Sequence, residues 1–133
     1  MKYVLDTNVV ARLLDGDKRV TQRLAAVATD DVGIPLVVLA ELLFGVEKSA
    51  RREANLERLT KFAFGVQVLP FDRALAARYA AVRAAVERSG HRKSDFDLVV
   101  ASTAIEHHAT LVTNDRALKD GTIPGLVAVD WLA

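Results

Sequence analysis

The 133-residue sequence has no cysteine. Disulfides, thiolate nucleophiles and cysteine-ligated zinc are therefore excluded. No apolar run approaches the length of a membrane span. The short apolar run after Lys2 stops at Asp6, so the N-terminus does not read as a secretory signal. From these absences we expect a cytoplasmic protein with no membrane association. The formal net charge is only +1, so binding to a polyanion cannot be argued from the total. There are no internal repeats, low-complexity tracts or linkers. Nor is there a Ser-His-Asp arrangement, a phosphate-binding glycine loop or a dinucleotide fingerprint. The composition, 51% hydrophobic and 26% charged, places the chain among globular proteins rather than disordered ones. The length suffices for one core, so a single domain over residues 1–133 is expected.

What the chain does have is carboxylates in unusual settings. Tyr3-Val4-Leu5 runs straight into Asp6, followed by Thr7-Asn8 and then an apolar pattern with helical spacing. This reads as a buried parallel strand with Asp6 at its carboxyl end, the edge where open α/β sheets bind ligands. Asp6 is also a good helix cap, which is the plainer reading of one such residue. Ala109-Thr110-Leu111-Val112-Thr113-Asn114-Asp115 repeats the pattern, a strand running into a Thr/Asn/Asp cluster. Two parallel strands would thus end in aspartates at one sheet edge.

The remaining elements follow in order. A short helix over 9–14 ends at Asp15-Gly16-Asp17. An amphipathic helix is expected over 18–29, and a strand over 32–35 stopped by proline. Residues 36–46 are apolar nearly all round, which predicts a buried helix in which Glu41 is the only charge. A buried carboxylate is costly unless paired or bound to a metal. A basic helix over 49–63 follows and completes an αα-hairpin. A strand over 66–70 leads to a long helix from Asp72 to Ser89, ended by Gly90. Ser94 and Asp97 resemble a capping box opening an apolar helix through Ile105. Asp95 suits the dipole of that helix, and His107 and His108 suit its other end. Being adjacent, the two histidines point apart and do not read as joint metal ligands. Residues 121–125 are expected as loop and 126–129 as the last strand, with Trp131 covering the core. Basic residues gather at Lys48, Arg51, Arg52, Arg58 and Lys61, and again at Arg88, His91, Arg92 and Lys93. They suit a phosphate-backbone ligand as well as they suit solvated helix faces.

In a three-layer α/β/α sandwich, Asp6, Glu41, Asp97 and Asp115 can converge. Four close carboxylates repel and raise one another's pKa, and a divalent cation relieves this. Oxygen ligands without cysteine or well-placed histidine point to Mg²⁺ or Mn²⁺. Such a site suits phosphodiester hydrolysis. Thr7, Asn8, Thr113 and Asn114 are placed to hydrogen-bond the carboxylates or the substrate.

The chain resembles the PIN-domain nucleases, and most closely the VapC-type toxins of toxin–antitoxin pairs. The matching pieces are Val4-Leu5-Asp6-Thr7-Asn8-Val9, Leu39 to Ser49, Asp97 to Ser102, Leu111 to Asp115, and Ile123 to Leu126 with Trp131. They occur in the family's order over essentially the whole chain. The resemblance implies a PIN-like fold with a central, mostly parallel sheet. It implies an Mg²⁺- or Mn²⁺-dependent endoribonuclease with Asp6, Glu41, Asp97 and Asp115 as catalytic, metal-binding acids. It further implies an RNA substrate, a VapB-type antitoxin as partner, and a homodimer. The sequence departs from the expected pattern at His91-Arg92-Lys93-Ser94 and at Leu118. A non-catalytic PIN-fold module that binds RNA or protein is disfavoured by the complete acid set. A phosphoacceptor receiver domain is disfavoured because the third strand ends in Leu69-Pro70 and the last runs into Asp130-Trp131.

Overall fold

Parallel strands covered on both faces are short and continuously apolar, and this chain supplies them. The computed structural model describes residues 1–133. Strands β1 (Tyr3–Leu5), β2 (Val32–Pro35), β3 (Gln67–Leu69), β4 (Thr110–Val112) and β5 (Ala128–Val129) form one sheet in the order β3-β2-β1-β4-β5. All four pairings are parallel, where a mostly parallel sheet was expected. The flanking helices are α1 (Thr7–Leu14), α2 (Lys18–Ala25), α3 (Leu36–Lys48), α4 (Arg52–Phe64), α5 (Arg73–Arg88), α6 (Asp95–Glu106) and α7 (Arg116–Lys119). The architecture is the expected α/β/α sandwich. One cluster of 24 buried residues forms the core, and the central strands give it Val4, Leu5, Ile34 and Leu111. Burying each such side chain contributes about 1.5–3 kcal/mol. No helix is long and apolar enough to cross a membrane.

The strand order positions the site. From β1 the chain steps outward to β2 and β3, then returns to β4 on the other side of β1. The sheet is therefore wound in opposite directions from the β1–β4 seam. That reversal opens a crevice at the carboxyl ends of these two strands.

Several boundaries differ from the sequence-based expectation. α1 begins at Thr7 rather than residue 9, because Asp6 caps it. α2 stops at Ala25, where Ala26 and Val27 donate to carbonyls three residues back and tighten the chain; a 3₁₀ turn at Thr29–Asp31 follows. α7 was not expected, since four residues are too few to show a period. The larger correction concerns α3. It buries only Val38, Leu42 and Val46, a stripe along one face. Leu36, Leu43 and Phe44 are exposed, and so is Glu41. Apolar composition all round a helix did not mean cover all round it. The case for Glu41 as a costly buried charge falls with this.

Candidate active site

The register of β1 and β4 builds the centre of the site. Leu5 lies opposite Val112. One residue further, the Asp6 N–H donates to the Val112 carbonyl at 3.0 Å, so Asp6 and Thr113 leave the sheet side by side. Asp6 is only 6% exposed. Its Oδ1 accepts from the Thr7 N–H at 2.8 Å, and its Oδ2 accepts from the Thr113 hydroxyl at 2.7 Å. The same hydroxyl oxygen accepts from the Asp115 N–H at 3.0 Å. One fully buried threonine thus ties the two strand-end aspartates together. Asp115 in turn caps α7, accepting from the Ala117 N–H at 2.9 Å. The capping reading of Asp6 and its place in the cleft are both correct, because one carboxylate has lone pairs enough for both.

Asp97 arrives from the first turn of α6. The Ser94 hydroxyl accepts from its N–H at 3.1 Å, which fixes the start of that helix. Glu41 arrives from α3. All four acids line one open cleft of about 540 Å³, together with Thr7, Asn8, Asn114 and Phe96. Asn8 and Asn114, both in the lining, bond each other, Nδ2 to Oδ1 at 3.0 Å. Of the four polar neighbours expected from sequence, Thr113 touches a carboxylate through its side chain and Thr7 through its backbone. The Thr7 hydroxyl is buried without any hydrogen-bond partner. His107 and His108 terminate α6 and do not reach the cleft.

The electrostatics follow from this crowding. Burial pushes the Asp6 carboxyl above its ordinary range; its bonds from Thr113 and Thr7 oppose the rise, and the Asp115 charge adds to it. Burial also raises Asp97, helped by the charges of Asp115 and Asp6 and opposed by Ser94 and Lys93. Two acids that resist ionisation in one cleft are relieved by a proton or by a cation. The donor chemistry fits a hard divalent ion, since every side chain offers oxygen. The acids nonetheless do not already form a closed cage: no group of three is arranged to hold an ion without adjustment.

Lys93, grouped from the sequence with basic residues suited to a phosphate backbone or a solvated face, takes neither role. Its side chain is only 6% exposed, and its ammonium pairs with Asp120 beyond α7. The pair joins the loop before Asp97 to the loop after Asp115. Its partner lies 27 residues away, so no local pattern could have revealed it.

With that geometry in view, the likeness to known proteins is informative. The PIN domain family matches residues 3–122. Ribonuclease VapC2 of Rickettsia felis is 32% identical over 134 residues, 98% of each chain. The tRNA(fMet)-specific endonuclease VapC of Shigella flexneri is 29% identical over 131 residues, again 98% of each. A chain of the crystal structure of VapBC2 from Rickettsia felis, bound to a DNA fragment from its promoter, superposes with a TM-score of 0.88. That likeness spans 98% of this chain and 99% of that one, at 32% identity. Fold and full-length similarity agree, and the chain belongs to the PIN-domain family, among its VapC ribonucleases.

Proposed function

We propose that this chain is a metal-dependent endoribonuclease toxin that hydrolyses RNA phosphodiester bonds and is restrained by a VapB-type antitoxin. The observation that carries the reading is the convergence of Asp6, Glu41, Asp97 and Asp115 on one cleft at the strand-reversal seam. The two relatives above are a ribonuclease and an endonuclease by name, and the solved neighbours include members of the VapBC family of toxin–antitoxin systems.

Asp6, Asp97, Asp115 and Glu41 would hold Mg²⁺ or Mn²⁺. Such an ion, when bound, supplies an ionised water and charge stabilisation at the leaving oxygen. The protein's own share is positioning. Thr113 fixes Asp6 and Asp115 relative to each other, and the Asp6 cap on α1 fixes its rotamer. Asn8 and Asn114 place amide groups on the same wall, within the cleft a phosphodiester would enter.

The test is digestion of pooled tRNA and rRNA by the purified, antitoxin-free chain, with Mg²⁺, with Mn²⁺ and with chelator. Discrete fragments that require the metal are expected. A folded, metal-loaded chain that cuts nothing in the source's own total RNA would reject the enzyme reading.

Glu41→Gln separates function from folding. Because Glu41 is exposed, the substitution should change stability by no more than about 0.5 kcal/mol. Cleavage should fall roughly tenfold or more, the usual scale for weakening a metal's ligand set. A melting curve and a time course on the same preparation check both; unchanged cutting would remove Glu41 from the site.

A further inference from the structure

The acidic cleft continues past Glu41. It shares Thr7, Ala11 and Glu41 with a second hollow of about 370 Å³ between α1, α3 and α4. Phe44, Gly45, Lys48 and Arg58 line that hollow.

Gly45 is the informative residue. It sits inside α3, where glycine costs about 1 kcal/mol relative to alanine. Nothing in the chain requires it, since a Cβ built there meets no atom within 4 Å. Gly33 in β2 is the contrast: a Cβ there would lie 2.9 Å from Met1 Cε and 3.1 Å from Leu69 Cδ1, so these side-chain ends would have to shift to admit it. What Gly45 keeps clear is the hollow itself.

The surroundings say what kind of ligand fits. Phe44 is 54% exposed, and the Lys48 ammonium stands 4.7 Å from its ring centroid. The neighbouring Glu47 is taken by Arg52 at 2.7 Å, which leaves the Lys48 charge available. Arg58 is held by two bonds, to the Leu14 carbonyl at 2.6 Å and to Asn55 Oδ1 at 2.7 Å. A guanidinium has five N–H donors, so others remain free. Besides Glu41, the lining carries two cations, Lys48 and Arg58, and one further carboxylate, Asp15. Glu41, Gly45 and Lys48 fall at i, i+4 and i+7 along one helix face. At 1.5 Å per residue, Lys48 lies about 10 Å beyond Glu41 along the axis.

We propose that this hollow is a subsite for the nucleotide flanking the scissile phosphate in a single-stranded segment of RNA. The base rests on Phe44, the phosphate meets Lys48 and Arg58, and the sugar passes over Gly45. Unpaired bases bind proteins by stacking on aromatic rings beside cationic side chains. The inference rests on the ribonuclease reading and adds to it where the substrate lies.

The experiment compares the wild-type chain with Gly45→Ala, Gly45→Leu and Lys48→Ala. The probe is a short, fluorescein-labelled single-stranded oligoribonucleotide of mixed sequence, followed by anisotropy in chelator over a salt series. Cutting of pooled tRNA in Mg²⁺ is read alongside. Gly45→Ala and Gly45→Leu should melt no lower than wild type. Gly45→Leu should weaken binding roughly tenfold, the scale of one lost stacked base. Lys48→Ala should reduce the slope of log K against log salt by about 0.7, the value for one phosphate on a single strand. Unchanged binding in folded Gly45→Leu and Lys48→Ala would overturn the subsite. So would unchanged RNA binding with lost capture of the co-expressed antitoxin, which would assign the hollow to the antitoxin instead. If wild type cuts nothing while oligonucleotide binding still depends on Gly45 and Lys48, the enzyme reading falls and the subsite stands.

Discussion

The Asp97→Asn chain will melt at a higher temperature than wild type at neutral pH in chelator, and it will cut RNA roughly a thousandfold more slowly or not at all. Both halves come from one cause. Asp97 is held above its ordinary carboxylate range, chiefly by burial and then by the Asp115 charge. An acid whose pKa is raised by folding takes a proton more readily in the folded state than in the unfolded one. Its ionised form therefore opposes folding. That cost is complete above the folded pKa and is relieved as pH falls through it toward the unfolded value. Asparagine keeps the shape and removes the charge, so the cost disappears at neutral pH. The melting difference between the two chains should close as the solution is acidified. A saturating divalent ion should reverse its sign, because wild type would then gain the larger share of binding free energy. Melting curves across pH, with and without Mg²⁺, and a cleavage time course test the set. A variant that melts lower than wild type in chelator would refute the crowding account of Asp97. One that cuts normally would place the chemistry elsewhere.

Thr113→Val should be the most damaging single change that replaces no carboxylate. The replacement has nearly the same volume, so packing is kept and only the hydroxyl is lost. That hydroxyl donates to Asp6 Oδ2 and accepts from the Asp115 N–H. Both partners would lose a bond, and Asp6 is almost wholly buried. An unmet buried polar group costs about 1–3 kcal/mol, more when charged, so a loss of about 3 kcal/mol is expected. The affinity for Mg²⁺ should fall about 10- to 100-fold, as when an outer partner of a ligand is removed. Thr113→Ser should recover most of both. Chemical denaturation and a Mg²⁺ titration of activity are the measurements. A valine variant of wild-type stability would mean that the hydroxyl is not what joins the two aspartates.

Some of this was legible in the sequence because its cause is local. An apolar triplet that runs into Asp-Thr-Asn announces both a strand and what stands at its end. The same logic found Asp115, and the spacing of Ser94 and Asp97 found the start of α6. Distance along the chain is what hid the rest. The Thr113–Asp6 bond joins residues 107 apart, and only the β1–β4 register brings them together. The Lys93–Asp120 pair is similarly non-local. Glu41 shows a different failure. The apolar run around it promised burial, whereas α3 is covered on one face only, and Glu41 earns its place by facing the cleft. Gly45 could be seen as an oddity within a helix, but its meaning depends on the empty space beside it, which no sequence pattern reports.

The seam between β1 and β4 has one more consequence. Two of the acids, Asp6 and Asp115, follow the adjacent interior strands β1 and β4, whose residues Leu5, Leu111 and Val112 are fully buried. To spread the cleft at that point, these strands must part in the middle of the core. Openings of that kind cost close to the free energy of global unfolding, unlike the fraying of loops and ends. The edge that carries Asp6 is therefore expected to be among the last parts of the molecule to exchange its amide hydrogens. A site so built is not readily silenced by being loosened. It is silenced by being covered, and restraint by a bound partner is the form of control that such a rigid scaffold favours.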